Sequence, residues 1–368
     1  MIKTQAMVVF AENRPMPGIE NPGSHQTYKN PRIEIIERKL KNLSPDEIRV
    51  NMLYAGVCGT DVHLVETNPE TGYIKSSANC YIPKEGRVIG HEGVGQVISV
   101  GSTVKHIRTG DYVTFESIIV CNHCDMCRKG LFNQCRKAGL LGLEIDGLFS
   151  TIADVPATLC HNVSWLVEDE QDIKALACIE PAGVAYVACQ KASVSGGDSV
   201  VIFGAGPIGV YCAMLAKMFF GASCVHIVEP LPVRRELAAS WADEVYTLND
   251  FFDNPPKNID VVIEASGILS NINRIFKYMN GNGRIDLLAR SGESLIIDNI
   301  DHMITNAISI SGTRGHLCGA FDNILKLYKN IPLSAIITHT SENLYQLKEL
   351  LAFSDKIISE NCKVLVKL

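Results

Sequence analysis

The chain has 368 residues, of which 46% are hydrophobic and 20% charged, and its formal net charge at pH 7 is −6. This length predicts two domains with cores of their own, and the acidic balance disfavours a nucleic-acid surface, which should be basic. Because no apolar stretch approaches ~18 residues and Glu12 and Arg14 interrupt the first apolar run, we expect neither a membrane span nor a signal peptide and predict a cytoplasmic protein.

Short apolar runs separated by Gly and Pro fill residues 1–170. They include EIRVNMLYAG, GVGQVISVGSTV, GDYVTFESIIV and FSTIADVPATL. Runs of this length with frequent turn residues are typical of antiparallel strands. The sequence therefore predicts an all-β unit at the start of the chain.

Three separated fragments carry side chains that bind metals. They are CGTDVH at 58–63, GHE at 90–92 and EP at 180–181. Cys58 offers a thiolate, His91 an imidazole, and Glu92 and Glu180 carboxylates, which together suffice for a zinc ion with three protein ligands and one exchangeable position. By themselves the fragments are inconclusive, since a single Cys or His is more often structural.

A run of four cysteines is a stronger signal. Cys121, Cys124, Cys127 and Cys135 follow one another with two, two and seven residues between them. A two-residue gap lets one tight turn direct two sulfur atoms at the same ion, and four thiolates close a tetrahedral zinc site to water and substrate. We therefore predict a structural zinc, with His123 as an ordinary loop residue.

From about residue 175 the pattern changes to apolar strands alternating with helical segments. Helix ALACIEPAGVAYVACQKA is followed by strand SVVIFG, helix PIGVYCAMLAKMFFG, strand CVHIVE, helix PVRRELAASWA and strand DVVIEAS. This alternation predicts a parallel sheet with helices on both faces. The final run, CKVLVKL, is too short to form a domain, and we expect it to pair with the first unit.

A glycine-rich turn joins the first strand and helix of this second pattern. Gly204, Gly206 and Gly209 form a GxGxxG motif, and the helix opens with Pro207 and Ile208. Such a turn lets the backbone approach a pyrophosphate, and the helix N-terminus offers its free N–H groups to the phosphates. The motif predicts a dinucleotide site.

An acidic residue ends the next strand. Glu229 follows Gly209 by 20 residues, the offset at which a carboxylate accepts hydrogen bonds from the adenosine ribose. A carboxylate would also repel a 2′-phosphate, so NAD is favoured over NADP. Arg234 and Arg235 are close enough in sequence to weaken this preference, and Arg234 is a further candidate contact for the cofactor.

Taken together, these motifs resemble those of the zinc-dependent medium-chain alcohol and polyol dehydrogenases. CGTDVH, GHEGVGQVISVG, the four-cysteine run and GAGPIG with Glu229 occur in the family's order and spacing, and the resemblance covers nearly the whole chain. It implies an α/β plus β fold, in which a GroES-like β-barrel catalytic domain (1–180 and 325–368) is interrupted by a Rossmann domain with a doubly wound parallel sheet (181–324).

The resemblance also implies roles for individual residues. Cys58 and His91 would bind a catalytic zinc, and Glu92 and Glu180 would be direct or exchangeable ligands. Asp61 would hydrogen-bond the zinc-bound imidazole. The residues implied to carry the substrate proton are Thr60 and, at the outer end of the relay, His63.

The implied activity is that of an NAD(P)-dependent alcohol dehydrogenase with two zinc ions per subunit, one catalytic and one structural. We predict a secondary alcohol of a sugar, polyol or cyclitol as its small-molecule substrate. The alternatives are a threonine-type amino-alcohol dehydrogenase, a simple alcohol or aldehyde dehydrogenase, and, outside enzymes, a zinc-ribbon interaction protein. The resemblance implies a homodimer or homotetramer, with no nucleic-acid or membrane partner.

Two segments depart from the family pattern. The stretch between Ala11 and Pro45 is longer than in most members and adds Pro, Gly and Asn. The stretch from Leu64 to Val88 joins two zinc-ligand motifs, where members of the family contact substrate, and its polar content suits a hydroxylated substrate or an ordinary solvated loop.

Overall fold

The computed structural model describes residues 2–291, 294–316, 319–353, 357 and 359–368. Packing divides the chain into two units. Unit 1 contains Met1–Glu180, Pro332–Ile358 and Lys363–Leu368, and unit 2 contains Pro181–Ile331 and Ser359–Cys362. Within the described residues, no helix combines the length and the apolarity needed to cross a bilayer.

Unit 1 is built mainly of antiparallel strands, as its short apolar runs predicted. The strands are β1 (Lys3–Asn13), β2 (Tyr28–Lys39), β3 (Glu47–Val57), β4 (Arg87–Val88), β5 (Glu92–Val100), β6 (Tyr112–Phe115), β7 (Ile118–Ile119), β8 (Gly139–Leu140), β9 (Ile152–Pro156), β10 (Cys160–Asn162), β17 (Ile337–Ser341) and β18 (Lys363–Lys367). The helices are α1 (Gly59–Val65), α2 (Asp125–Arg128), α3 (Glu170–Leu176) and α11 (Leu344–Leu351), while α4 (Ile179–Lys191) begins in this unit.

The main sheet of unit 1 includes the end of the chain. Its strand order is β10-β6-β5-β3-β18-β17, with β9 also on β3, and a smaller sheet has the order β2-β1-β4. The last strand pairs antiparallel with β3, with Val364 opposite Val57. The predicted return of the C-terminal run to the first unit is confirmed. This pairing places Lys363 next to the end of β3, the strand that immediately precedes Cys58.

Unit 2 contains a parallel sheet. Its strands are β11 (Ser199–Phe203), β12 (Cys224–Val228), β13 (Glu244–Tyr246), β14 (Ile259–Glu264), β15 (Met279–Leu287) and β16 (Ser309–Gly312), and its helices are α5 (Pro207–Met218), α6 (Pro232–Ala238), α7 (Leu248–Asp253), α8 (Ser270–Ile275), α9 (Ile300–Thr305) and α10 (Ala320–Leu327). All neighbouring strands pair parallel in the order β13-β12-β11-β14-β15-β16. The order reverses beside β11, the switch point at which such sheets bind ligands.

Candidate active site

The turn between β3 and α1 presents the first predicted ligand. Cys58 has an extended backbone (φ −99°, ψ 155°) and precedes the helix, and its N–H donates to the Asp61 carboxylate over 2.9 Å. The Cys58 sulfur lies 3.7 Å from Thr60 Oγ1. One turn of helix therefore places the predicted thiolate ligand beside the hydroxyl predicted to carry the substrate proton.

His91 and Glu92 lie where β5 begins, and they form one cluster with Cys58. One ligand atom from each of the three residues lies within 4.8 Å of the other two. The turn into β5 requires glycine, because Gly90 has φ +90° and a Cβ there would lie 2.3 Å from the Phe149 ring. A half-buried thiolate that converges with a buried imidazole and a buried carboxylate forms a donor set that fits zinc.

Asp61 is a buried anion beside this cluster. Its carboxylate accepts the Gly90 N–H over 3.1 Å, and its Oδ1 lies 3.7 Å from His91 Nδ1. The latter distance exceeds a hydrogen bond, and no other residue in the described part of the chain hydrogen-bonds to Nδ1. Burial opposes a charge on His91, yet the negative charges of Asp61 and Cys58 raise its pKa well above the ordinary value.

Lys363 is the residue that the motif analysis missed. It is 1% exposed, and its Nζ forms an ion pair with Glu92 Oε2 and donates to the Val57 carbonyl over 3.0 Å. The pKa of Lys363 is raised because the charge of Glu92 outweighs the effect of burial. A lysine inside the otherwise apolar run CKVLVKL was the available signal, since such a residue is rarely buried without an anion.

Glu180 occupies a separate position near the cluster. It accepts a hydrogen bond from Ser117 Oγ over 2.8 Å and is 6% exposed. Burial raises the pKa of Glu180 to about 7, and the nearby charge of Glu92 adds to the rise. Its carboxylate is not among the donors that lie within 4.8 Å of one another. Of the two candidate carboxylates, Glu92 is therefore the closer to Cys58 and His91. It is also the carboxylate that forms the ion pair with Lys363.

His63 lies at the far end of α1 from Cys58. Its backbone carbonyl accepts the Ser76 N–H over 3.0 Å, which ties the helix to the following loop. Burial lowers the pKa of the His63 imidazole, although the charge of Glu66 acts in the opposite direction. The side chain is consequently neutral near pH 7 and able to accept a proton.

The four predicted structural ligands converge in a second cluster. One sulfur from each cysteine of the run lies within 4.8 Å of the other three. Backbone N–H groups of Cys121 and Lys137 both donate to the Cys135 sulfur over 3.3 Å. Amides of Arg136 and Cys127 lower the pKa of Cys124 to about 6. N–H groups directed at sulfur stabilise thiolates, so the residues fit a closed zinc site.

The glycine-rich turn lies at the carboxyl end of β11 and leads into α5. Gly204 has φ +94°, a conformation in which other residues are strained, and a Cβ on Gly209 would lie 1.9 Å from the Gly204 carbonyl oxygen. Pro207 occupies the first turn of α5, where no intrahelical N–H is needed, and Ile208 follows it. This close-packed turn fits the phosphate groups of a dinucleotide.

Glu229 ends β12 next to this turn. Its two carboxylate oxygens accept the N–H groups of Ala205 over 2.7 Å and of Leu231 over 2.9 Å, which leaves one lone pair on each for a ribose hydroxyl. Arg235 donates to the backbone carbonyls of Glu229 and Pro230. Arg234 is the arginine nearer the turn, since its Nη1 would lie 3.7 Å from a Cβ on Gly206.

Comparisons with known proteins match part of unit 1 to a domain family and most of the chain to a dehydrogenase and a reductase. The model of the alcohol dehydrogenase GroES-like domain matches residues 44–165. The L-threonine 3-dehydrogenase of Pyrococcus horikoshii is 31% identical over 319 residues, which cover 83% of this chain and 87% of the relative. A probable D-xylulose reductase A of Aspergillus clavatus is 30% identical over 254 residues, or 64% of this chain and 66% of that protein.

A solved structure extends the likeness to the whole chain. The L-idonate 5-dehydrogenase of Escherichia coli str. K-12 substr. MG1655 superposes with a TM-score of 0.79 and 22% identity, covering 100% of this chain and 99% of that chain. At this identity the comparison concerns the fold alone. Together with the domain match and the parallel sheet of unit 2, it confirms the predicted fold class, a GroES-like domain combined with a Rossmann domain.

Proposed function

Since the chain belongs to the zinc-dependent medium-chain alcohol and polyol dehydrogenases, we propose that it transfers a hydride between NAD and a secondary alcohol of a sugar, polyol or cyclitol. Membership confirms the predicted enzyme class and the two cofactors, zinc and a nicotinamide dinucleotide, and it excludes the alternative of a zinc-ribbon interaction protein. The observation that carries the proposal is the cluster of half-buried Cys58 with buried His91 and Glu92.

We assign the chemistry of the reaction to unit 1. When bound, zinc supplies Lewis acidity toward the substrate oxygen and NAD supplies the hydride acceptor. Cys58, His91 and a carboxylate would hold the metal, with Glu92 and Glu180 as the two candidate carboxylates. The Thr60 hydroxyl beside Cys58 would accept the proton of the substrate alcohol while it donates its own proton outward, and the neutral His63 imidazole would be the final acceptor of this relay.

We assign the dinucleotide to unit 2. The turn from Gly204 to Gly209 and the first turn of α5 would bind the pyrophosphate, and Glu229 would bind the adenosine ribose. Arg234 lies near Gly206 and would contact a phosphate. The charge of Glu229 supports NAD over NADP.

Replacement of a proposed zinc ligand tests the metal mechanism. We expect Cys58→Ser to abolish NADH formation while NAD binding, measured by nucleotide fluorescence, stays within about twofold of the parent. Cys160→Ala is the matched control, because this cysteine is buried in the same unit outside both sulfur-containing clusters. Full activity of Cys58→Ser would contradict the proposal.

L-Threonine is the second candidate substrate. It is favoured by the 31% identity to the threonine dehydrogenase over 83% of the chain. Threonine also carries a secondary alcohol, so the same metal cluster would serve. Initial rates of NADH formation with sorbitol, xylitol, myo-inositol, L-threonine and 2-propanol separate the candidates. Turnover of threonine without turnover of any polyol would replace the first proposal by the second.

We further propose that the enzyme is a cytoplasmic homodimer or homotetramer. The free thiols of the four-cysteine cluster and of Cys58 suit a reducing compartment. Strand β16 ends the sheet of unit 2, and α9 exposes Ile300 and Ile304. An open strand edge beside exposed apolar side chains suits pairing with a second copy. Ile304→Glu should reduce the mass measured by light scattering, and an unchanged mass would contradict this interface.

A further inference from the structure

The connection between β1 and β2 continues the hairpin beyond its regular strands. The Arg14 N–H donates to the Thr27 carbonyl and the Met16 N–H to the Gln26 carbonyl, both over 2.8 Å. We call residues 14–27 the hairpin tip. It lies within the segment whose length departs from the family pattern, and nothing in the proposed reaction uses it.

The hairpin also pairs with the loop between α1 and β4, here called loop 66–82. The Ile74 N–H donates to the Tyr28 carbonyl and the Asn30 N–H to the Gly72 carbonyl, each over 3.0 Å. On the other side of the same loop, the Lys75 N–H donates to the Glu66 carbonyl over 3.0 Å. Isolated β-bridges therefore connect the middle of the loop to the hairpin on one side and to the chain leaving α1 on the other.

Three side chains add links between the tip region and the loop. Ser24 Oγ accepts the Cys80 N–H over 2.9 Å, and the Tyr28 hydroxyl accepts the Ile82 N–H over 3.1 Å. From the loop side, the Tyr73 hydroxyl donates to the Arg14 carbonyl over 2.8 Å. The side chains of Ser24, Tyr28 and Tyr73 are all buried. Buried polar groups are costly to separate from their partners, so these links favour one loop conformation.

The loop is in turn attached to the helix of the active site. The Ser76 N–H donates to the His63 carbonyl over 3.0 Å, and Ser76 is buried. Helix α1 carries Thr60 and His63, the residues assigned to proton transfer. The loop is therefore held next to the helix that carries these two residues.

We propose that Tyr28, Tyr73 and Ser24 are positioning residues that hold loop 66–82 against α1 and thereby determine how tightly the active site binds its alcohol substrate. The part of this proposal that concerns substrate rests on the proposed function. The loop lies between Cys58 and His91 along the chain. A loop that is already held in one conformation has lost the conformational entropy that substrate binding would otherwise have to remove.

Removing two of the hydroxyls tests the proposal in the full-length, zinc-loaded enzyme. Cys80 lies in the loop, is half-buried and reports its opening. In Tyr28→Phe/Tyr73→Phe we expect iodoacetamide to alkylate Cys80 at least about tenfold faster than in the parent, a rate ratio that corresponds to about 1.4 kcal/mol. Mass spectrometry of the peptide that contains Cys80 measures this rate. We expect KM for the best alcohol of the panel to rise about tenfold, with kcat, KM for NAD and zinc content within about twofold.

Thr27→Val is the matched control. It removes a hydroxyl from the residue next to Tyr28, and in the described part of the chain that hydroxyl donates to carbonyls of the hairpin tip itself, at Gly23 and Pro22. Cys80 alkylation and KM should both equal those of the parent. Should the double variant misfold, Tyr73→Phe alone gives the same test, with smaller changes in the same direction.

The two readouts separate the possible failures. Unchanged alkylation of Cys80 in the double variant would overturn the claim that these residues hold the loop. Faster alkylation with an unchanged KM would overturn its link to substrate binding. If the parent oxidises no alcohol at all, the proposed function fails, while the alkylation result still decides whether the hydroxyls of Tyr28 and Tyr73 hold the loop.

Discussion

Lys363 and Glu92 form a buried ion pair beside the proposed catalytic metal site. They are 271 positions apart in sequence and meet because β18 pairs with β3. Acidic groups lie in and around this site, namely Cys58, Asp61, Glu92 and Glu180, and Lys363 neutralises one of them, Glu92. A buried charge persists only with a partner, so each member of this pair depends on the other.

Loss of this lysine should be costly. Lys363→Met leaves the Glu92 carboxylate buried without its cation, and we expect the free energy of unfolding of the zinc-saturated enzyme to fall by about 3–5 kcal/mol. The double variant Glu92→Gln/Lys363→Met should lose less than the sum of the single changes, by at least about 1 kcal/mol. Urea unfolding followed by circular dichroism measures all three variants.

Lys367→Met is the control for this cycle. Lys367 lies on the same strand, but its side chain is half-exposed and 3.5 Å from the exposed Glu170. Such a pair contributes at most about 1 kcal/mol, so this variant should remain near the parent. Equal losses from Lys363→Met and Lys367→Met would contradict the role given to the buried pair.

The four-cysteine cluster should stabilise the chain without taking part in turnover. We expect Cys121→Ser to reduce the zinc content from about two ions to about one per chain and to lower the thermal midpoint by at least about 4 °C. The remaining zinc ion should stay bound at the proposed catalytic site, and the variant should remain active. Metal analysis and calorimetry measure the two effects.

His123 provides the comparison within the same run. Its ring contacts the Cys121 carbonyl, and the four sulfurs already supply the four ligands that a tetrahedral zinc site needs. His123→Ala should therefore retain both zinc ions. A parent-like melting temperature for Cys121→Ser, or loss of an ion from His123→Ala, would show that the metal is held differently.

The choice between NAD and NADP should depend on the charge of Glu229. Glu229→Gln keeps an oxygen that can accept one backbone N–H but removes the charge that would repel a 2′-phosphate. We expect the ratio of kcat/KM for NAD to that for NADP to fall at least about tenfold, a change of about 1.4 kcal/mol. Arg235→Gln should change this ratio less, because Arg235 is engaged by backbone carbonyls. A parent enzyme that prefers NADP would contradict the assignment.

Local patterns predicted the parts of the molecule that local geometry determines. The spacing of Cys121, Cys124, Cys127 and Cys135 confines four sulfurs to one short segment of the chain, and the cluster follows from it. Likewise, a strand, three glycines and a helix leave little freedom at the turn from Gly204 to Gly209. These features involve residues near one another in sequence, so short motifs contain the necessary information.

Contacts that depend on strand register were beyond such patterns. The alternation in CKVLVKL predicts a strand, but nothing local states that β18 pairs with β3 so that Lys363 meets Glu92. The same applies to the hairpin tip, whose contacts with loop 66–82 arise from packing between distant segments. The 3.7 Å between Asp61 and His91 could not be predicted either, because the family pattern specifies neighbours and not distances.

Asp286 makes the stability of unit 2 depend on pH. It is fully buried on β15 and accepts a hydrogen bond from Ser311 Oγ over 2.8 Å, and burial raises its pKa to about 6 from an ordinary 3.8. Between these two pH values the folded chain binds a proton that the unfolded chain releases. The free energy of unfolding therefore falls as pH rises through 6, by up to about 3 kcal/mol in total.

Asp286→Asn should have a higher free energy of unfolding than the parent at pH 8 and a smaller difference from the parent at pH 5. Urea unfolding at both pH values measures this. Asp298→Asn, an exposed change in the same unit, should show no such difference, and a pH-independent effect of Asp286→Asn would contradict the assignment.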